Sequence, residues 1–513
     1  MRFIQRLAWA GILLLFQRPA EWDVFAAELA SPASQLTQNP ATSLGLTGLP
    51  GESGAMPLFG GISLTPQWMR MGGASMTVES PALSDPLGML GLGAMTPQDA
   101  HLKIGNAYFR VNSVSGSMLY SDNINWSSTP ESGYIAVARL NATMMYQFSD
   151  NLTLAVGGSL IYLPTQGEFG VSGFGIQDPL YAFSIQPLFR ARLAYEFTGG
   201  EWQFLLADEY RIYMGVPYAA GLGFEFQGRD VAGNYVFENP NPLYSSGNSF
   251  LYKDNTTAAS ATRLLPTETR LTVGASRSEY WYDGNTTFDL PTWRNSAYVA
   301  LNSELEELRF KPFAYYRVDQ YDLEWYDHQQ VRAGFRGPLT ENLSLLADGG
   351  YYWAKSDGHN TPLWGIQLSH EINPVTVEYG GFGRYVVSDF GDLETRLFYG
   401  IRHQVNSVVT VGGEAHWSQY ESLDPQVVPG SDFGASAGVQ AAVLSGGGVY
   451  LGMGWDQGTY DSTQPGTRSA WSGRVGVRYR TLQADLTGRW TSNNQASLRY
   501  LENMVMLTLT KYF

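Results

Sequence analysis

From about Val111 to Phe513 the chain alternates apolar and polar side chains with a period of two, and turn residues break the pattern every ten to fifteen residues or so. A period of two is the signature of an extended strand with two unlike faces. In Leu152–Tyr162 one face carries Leu152, Leu154, Val156, Leu160 and Tyr162, and the other Thr153, Gly157 and Ser159. The segment Val409–Trp417 sets Val409, Val411, Ala415 and Trp417 against Thr410, Glu414 and His416. Leu482–Trp490 sets Leu482, Ala484, Leu486 and Trp490 against Gln483, Asp485, Thr487 and Arg489. Val375–Tyr385 reads the same way, with Val375, Val377, Tyr379 and Tyr385 opposing Thr376, Glu378 and Arg384.

A soluble antiparallel sheet alternates too, so alternation alone does not place the apolar face. The connections do. Short links such as Ser149-Asp150, Thr198-Gly199-Gly200, Gly337-Pro338, Asn373-Pro374 and Ser445-Gly446 alternate with long ones at 164–186, 216–246 and 423–431. Short turns at one end and long loops at the other are the asymmetry of outer-membrane barrels. Only 15% of the residues are charged, against about 25% in an ordinary soluble protein. Beyond the first twenty residues no run of about 18 apolar residues offers a spanning helix. The expected fold is all-β, a transmembrane antiparallel up-and-down β-barrel of about 20 strands (range 16–20,) over residues 111–513, with a soluble secreted β-protein as the rival.

Arg2 and Arg6 precede the apolar run Leu7–Phe16, which suits a secretory signal over residues 1–26 that ends at Val24-Phe25-Ala26. Residues 27–110 are rich in Pro, Gly, Ser and Thr and read as an irregular periplasmic leader, with a plug inside the barrel as the alternative. Cysteine is absent, so disulfides and thiolate sites are excluded, and the net charge of −15 argues against nucleic-acid binding.

Two sets of side chains follow from the alternation. Tyr162, Tyr385, Trp417, Trp455 and Trp490 close apolar faces beside loops and are expected at the membrane interface. Glu378, Arg384, Glu414, His416, Asp456, Arg474, Arg478, Asp485 and Arg489 fall opposite apolar partners and are expected to face the lumen. A lipid-facing Arg or Lys at mid-bilayer would cost about 2–4 kcal/mol. Such mixed charges either set up a transverse field across a constriction or pair off and fill a narrow barrel. The stretch Leu271–Trp281 fits poorly, because Arg277 and Glu279 share a face with Leu271 and Val273. A bulge or a strand extension beyond the membrane would accommodate them.

Catalytic signals are weak. Gly434-Ala-Ser436-Ala-Gly438 has the spacing of a nucleophile elbow but lies within an alternating run, where the strand-turn-helix that the elbow needs is not expected. The six histidines, His101, His328, His359, His370, His403 and His416, show no metal-ligand spacing. No enzyme activity and no cofactor are expected.

The chain ends Met504-Val-Met-Leu-Thr-Leu-Thr-Lys-Tyr-Phe513, with Val505, Leu507, Leu509 and Phe513 on one face. This resembles the C-terminal strand signal of outer-membrane barrels, which the barrel assembly machinery reads; Lys511 departs from it. Met118-Leu-Tyr120-Ser-Asp122-Asn123-Ile-Asn125 resembles the Tyr-x-Asp-Asn turn after the first strand in β-barrel porin families of Gram-negative bacteria whose solutes are undefined. The resemblance implies a barrel of the cell outer membrane in contact with its lipid. The leading expectation is a channel for passive diffusion of small hydrophilic solutes or ions, with a mild cation preference from the acidic balance. The alternatives are a structural or partner-binding barrel, with a periplasmic or oligomeric partner or a sleeve around a polymer or electron carrier, and a barrel hydrolase. Cell fractionation should place the protein in the outer membrane, with a gel mobility that shifts on heating; a soluble periplasmic protein without the shift would overturn the fold.

Overall fold

The computed structural model describes residues 100–513 apart from 124–129, 131, 150, 163–184, 215–250, 266–268, 284–290, 304, 306, 356–359, 387–392, 422–429, 445–446, 461–465 and 495–498. The signal segment, the leader up to residue 99 and most of the three long connections lie outside the described residues. Strand structure starts at Leu102, ahead of Val111: β1 (Leu102–Ile104) turns through Gly105 into β2 (Ala107–Ser121). There follow β3 (Gly133–Gln147), β4 (Leu152–Tyr162), β5 (Ile185–Gly199), β6 (Trp202–Met214), β7 (Leu251–Leu264) and β8 (Thr269–Asp283). The middle of the chain forms β9 (Trp293–Ser303), β10 (Lys311–Tyr321), β11 (His328–Pro338), β12 (Leu343–Ala354), β13 (Thr361–Asn373), β14 (Thr376–Val386) and β15 (Leu393–Gln404). The last strands are β16 (Val409–Glu421), β17 (Gly430–Leu444), β18 (Gly447–Tyr460), β19 (Gly466–Tyr479), β20 (Leu482–Asn494) and β21 (Arg499–Tyr512).

All twenty-one described strands belong to one antiparallel sheet. Each pairs with the next in the chain, and β2 pairs with β21 from Ser113 opposite Tyr512 to Ser121 opposite Met504, which closes the sheet into a barrel. β1 lies on β2 outside that circuit, so twenty strands make the ring. Closure removes both edges, so the ring presents no open row of unpaired backbone groups.

The two faces of the ring are inverted relative to a soluble protein. Large apolar side chains point outward and stay exposed: Met453 is 63% accessible, and Leu368, Leu397, Leu451, Val475, Leu486, Val505, Leu507 and Leu509 share that face. Polar side chains point inward and are buried, among them Ser113, Ser115, Ser117, Thr272, Ser296, Gln330, Thr508 and Thr510. The register is tightly specified, because a one-residue slip would exchange the faces of a whole strand.

The closing seam is reinforced at the loop end by the Tyr-x-Asp-Asn segment. The Asp122 carboxylate accepts the Asn503 backbone N–H (2.6 Å) and side-chain amide (2.5 Å), and Asn123 Nδ2 donates to the Leu501 carbonyl (2.9 Å). Lower down, Ser121 Oγ donates to Glu502 (2.8 Å) and Ser117 shares a hydroxyl hydrogen bond with Thr508 (3.1 Å). At the other end Phe513 N donates to the Asn112 carbonyl (3.2 Å), and its ring meets His101 edge-on.

Three short turns share one construction. The N–H groups of Phe148, Leu339 and Val405 donate to the carbonyls of Leu152, Leu343 and Val409 at 2.7–2.9 Å. Ser149, Thr340 and Asn406 accept the Leu152, Leu343 and Val409 N–H groups with their side chains. Hydroxyl and amide side chains suit these positions because they stand in for a backbone acceptor. Gly337-Pro338 closes β11 instead of forming the turn itself, which spans 339–342. In the Thr198-Gly199-Gly200 link, Gly200 takes a φ of 64°, a conformation that glycine adopts without penalty.

Leu271–Trp281 lies within β8, whose ladders to β7 and β9 run without a bulge. Arg277 and Glu279 do face outward with Leu271 and Val273, and they stand in the half of the strand nearer the long loops. No bulge accommodates them.

Replacing Asp122 with Ala removes two hydrogen bonds to Asn503 and should cost about 1–3 kcal/mol. The temperature at which the folded gel band converts to the unfolded one should drop; an unchanged temperature would mean that the clamp does not hold the seam.

Candidate functional site: the inner wall

The inner wall over β9 to β15 carries the densest set of charged groups among the described residues. Asp319 is fully buried on β10, where Arg317 Nε lies 2.7 Å from Oδ2 and Arg317 Nη2 donates to Oδ1 at 2.8 Å. Arg294 Nε on β9 lies 3.9 Å from Oδ1, and His328 Nε2 on β11 lies 3.3 Å from Oδ2. His328 Nδ1 faces the Tyr326 carbonyl (2.9 Å), and its ring sits between those of Tyr321 and Tyr352 at 6.0 and 5.4 Å.

Two further pairs continue the row. Arg332 Nε donates to Asp348 Oδ2 (2.5 Å) between β11 and β12, and its guanidinium lies 4.9 Å from the Tyr385 ring centre. Glu394 on β15 accepts Ser418 Oγ (2.7 Å) and lies 3.6 Å from Arg396 Nη1. Arg294 and Arg396 are only 1% and 2% accessible. These groups are held in pairs under a layer of tyrosine, so pairwise bridging describes this part of the wall. A transverse field would need the unlike charges to stand apart across open water.

Glycines let the rings lie flat on the wall. A Cβ on Gly365 or Gly383 would strike the Tyr385 ring or its hydroxyl, and one on Gly400 would strike the Tyr379 ring. Both tyrosines cross onto the bare backbone of a neighbouring position, a close approach open only to glycine.

The seam side of the wall differs in chemistry. Serine and threonine from β2 and β21 line it, and near the short turns a smaller network joins them. Gln483 Nε2 donates to Asp485 Oδ2 (2.7 Å) and to Tyr450 Oη (3.2 Å), while Tyr512 Oη donates to Gln483 Oε1 (3.2 Å). Arg478 stacks over the Tyr512 ring at 5.0 Å.

Of the residues expected to face the lumen, Asp485, Arg478 and His416 do so. Glu414, Asp456, Arg474 and Arg489 occupy inward register positions opposite Ser436, Gly434, Thr487 and Met504, but their side chains lie outside the described residues. Glu378 and Arg384 do not face the lumen. β14 is inverted relative to its sequence reading: Glu378 pairs with outward His370 and Ile401, and Phe382 with outward Ile366 and Leu397. Tyr385, expected at the membrane interface, is 1% accessible on the inner wall. The physical reason is that β14 has a weak pattern of its own, with three glycines at its centre, so its face is dictated by the strong apolar faces of β13 and β15. The two misplaced charges sit near the strand ends. Glu378 accepts His370 Nδ1 (2.9 Å) and Tyr399 Oη (2.7 Å), and Arg384 Nη2 reaches Glu421 (2.6 Å).

Trp417, Trp455 and Trp490 face outward, joined by Phe433 and Trp471 in one aromatic row across β16 to β20. The Tyr162 side chain lies outside the described residues, although its register partner Ala138 is an outward position. Val505, Leu507 and Leu509 are outward and exposed, and Phe513 is covered by His101 and Lys511. Burial, with help from Arg110, lowers the His101 imidazole below its ordinary pKa. Beyond the strand ends, hydrogen bonding to Glu324 raises Lys355 above the usual lysine value. Ser436 lies mid-strand in β17, without the turn and helix of a nucleophile elbow.

The paired wall residues Arg294, Arg317, Asp319, His328, Arg332, Asp348, Glu394 and Arg396 were missed by sequence reasoning. A signal was present, since Arg317 and Asp319 alternate with Tyr316 and Val318, and Glu394 and Arg396 with Thr395 and Leu397.

No family model matches this chain, and no curated protein matches it in sequence. Among solved structures it is similar to OccAB3 of Acinetobacter baumannii, at 10% identity over 80% of this chain and 100% of that one, with a TM-score of 0.40. The ferric enterobactin receptor PfeA of Pseudomonas aeruginosa is similar at 9% identity, 79% and 81% coverage and a TM-score of 0.42. The outer-membrane expressed OmpT of Vibrio cholerae is similar at 7% identity, 80% and 99% coverage and a TM-score of 0.31. At such identities and scores, the barrel rests on the chain's own register and burial.

Asp319→Asn leaves Arg294 and Arg317 buried without their carboxylate and should destabilise the barrel by about 3–5 kcal/mol. Glu378→Gln, on the outer face and partly exposed, should cost no more than about 1 kcal/mol. Denaturant midpoints of the two variants will rank them; equal midpoints would contradict the burial of the Asp319 cluster.

Proposed function

We propose that this chain is an outer-membrane β-barrel of a Gram-negative cell that conducts small hydrophilic solutes. The observation that carries the proposal is the inversion of faces: exposed leucine, valine and tryptophan surround the ring, and buried hydroxyls and ion pairs line it. An apolar band of this extent is unfavourable against water and stable against lipid, and strands of 11 to 15 residues meet or exceed the roughly 9–11 needed to cross a bilayer. Rings of 16 to 18 strands are already wide enough for an aqueous channel.

The chemistry of the wall favours weak charge selectivity. Arg294, Arg317, Arg332 and Arg396 on β9, β10, β11 and β15 each lie within 4 Å of a carboxylate, and the closing strands β2 and β21 present mainly serine and threonine. Neutral and singly charged polar solutes fit such a wall. The deep burial of Arg294, Asp319 and Tyr385 favours a second reading, a barrel whose interior is occupied and which serves a partner.

The absence of cysteine makes the test direct. In membranes, a water-soluble maleimide should label Gln483→Cys and His416→Cys from the lumen and leave Met118→Cys and Leu507→Cys unreacted. Reversed labelling would reject the membrane placement. Purified protein in planar bilayers should give discrete conductance steps with little preference between cation and anion, whereas folded protein that never conducts would favour the partner-serving barrel.

A further inference from the structure

The outer face of the ring is apolar over most of its height, and on β6 to β8 it is broken by a row of polar side chains. Asp208, Thr257 and Arg277 stand in register on these strands, exposed on the same face as Leu206. From Thr257 toward the short turn, β7 carries Ala259, Ala261 and then Arg263, which pairs with Glu201 beside the Gly199-Gly200 turn. Arg263 to Thr257 is about 20 Å along the strand, or about 15 Å of depth at a tilt of about 40°, in an apolar band about 25 Å tall. The row therefore lies near the middle of the span.

Hydrocarbon offers these groups no partner, and lipid headgroups do not reach that depth. The charge of Asp208 is not met on its own barrel. Its carboxylate accepts Thr257 Oγ1 (2.7 Å) and Asn255 Nδ2 (3.4 Å), and among the described residues no cation pairs with it. Arg277 Nε and Nη1 lie 3.3 Å from Glu279 and Asn295, and among the described residues Nη2 has no acceptor. The surface beside the row is also hollow. Ala259, Ala275 and Ala297 floor a trough of about 910 Å³ next to Leu206 and Val318, and such small residues let a second membrane-embedded surface come close.

A two-fold axis along the membrane normal keeps every residue at its own depth and, placed beside Thr257, sets β6 of one copy against β8 of the other. Asp208 then faces the partner subunit's Arg277, and Arg277 faces the partner subunit's Asp208. Strands about 4.8 Å apart and tilted by about 40° leave each pair about 6 Å apart in depth, a gap that an arginine side chain spans. The patch complements itself because its unlike charges stand on either side of β7.

We propose that two copies of this chain associate through β6 to β8 as a two-fold dimer, with Thr257 at the axis and Asp208 and Arg277 ion-paired between the subunits. The inference rests on the membrane placement proposed above. Charges that would be costly against lipid become buried partners, which is how polar side chains hold membrane-embedded surfaces together.

Charge reversal in the full-length protein tests this, with native mass spectrometry from detergent as the readout and the heat-dependent gel shift as the check that each ring is folded. The parent should be dimeric. Asp208→Arg or Arg277→Asp alone sets like charges opposite one another and should raise the dissociation constant at least tenfold, and the two together should restore the dimer. Ala275→Trp fills the trough without altering the charges and should also give monomers, which serves if a reversal variant fails to fold. Because the chain has no cysteine, Thr257→Cys in oxidised membranes should form a disulfide-linked dimer, whereas Met453→Cys, on the far side of the ring, should not. A monomeric or trimeric parent, or reversal variants as dimeric as the parent, would overturn the interface, and a double variant that stays monomeric would overturn the ion pairs. Protein absent from the membrane fraction would instead reject the membrane placement itself, which separates the two failures.

Discussion

Against hydrocarbon every backbone N–H and C=O must find its partner within the protein, and in this chain that requirement is met only when β2 meets β21. The nineteen preceding ladders of the ring each join neighbours in the chain, so their loop-closure cost is small. The last ladder joins residues almost 400 positions apart, as in Ser117 with Thr508. The seam accordingly carries side-chain reinforcement that runs from Ser117–Thr508 to the Asp122–Asn503 clamp, and Phe513 tucks beside the β1–β2 hairpin at its other end. Stability of the ring depends on a junction that forms only when the whole chain is in place.

The interior follows from the same closure. An inward polar face loses water wherever neighbouring strands crowd it, so its charges must be paired. Arg317–Asp319, Arg332–Asp348 and Arg396–Glu394 meet that demand, and the rings of Tyr321, Tyr352 and Tyr385 shield them. The glycines beneath the tyrosines serve the packing directly. They let an aromatic ring occupy the space of two wall positions, which keeps the layer thin.

Charges on the outer face obey position along the strand. Glu378 stands close to the β13–β14 turn and is held by His370 and Tyr399, while Arg384 and Glu421 pair at the loop end. Arg277 and Glu279 occupy the half of β8 nearer its loop, with Trp293 against the guanidinium at 5.3 Å. Between these limits the outward positions are largely Leu, Val, Ile, Phe, Trp and Ala, with Asp208 at the middle of β6 a charged exception. A charge near the rim keeps contact with water and headgroups, whereas one at the middle would lose both.

The period-two pattern was sufficient to give strands, antiparallel hairpins, the alternation of short and long links and a ring of about 20 strands, because each is a local consequence of backbone geometry. It also placed Trp417, Trp455 and Trp490 outward and Asp485 and His416 inward, since their strands have strong faces. It failed at β14, where glycines dilute the pattern and Glu378, Arg384 and Tyr385 take the faces that β13 and β15 impose. It also could not join Arg294, Arg317, Asp319 and His328, which come from three strands and meet only through inter-strand register. The sequence by itself determined which segments are strands and that their two faces differ. Only the tertiary structure decided which weak strand turns which way and which charges become partners, because both depend on hydrogen-bonded neighbours and not on the residues along one strand.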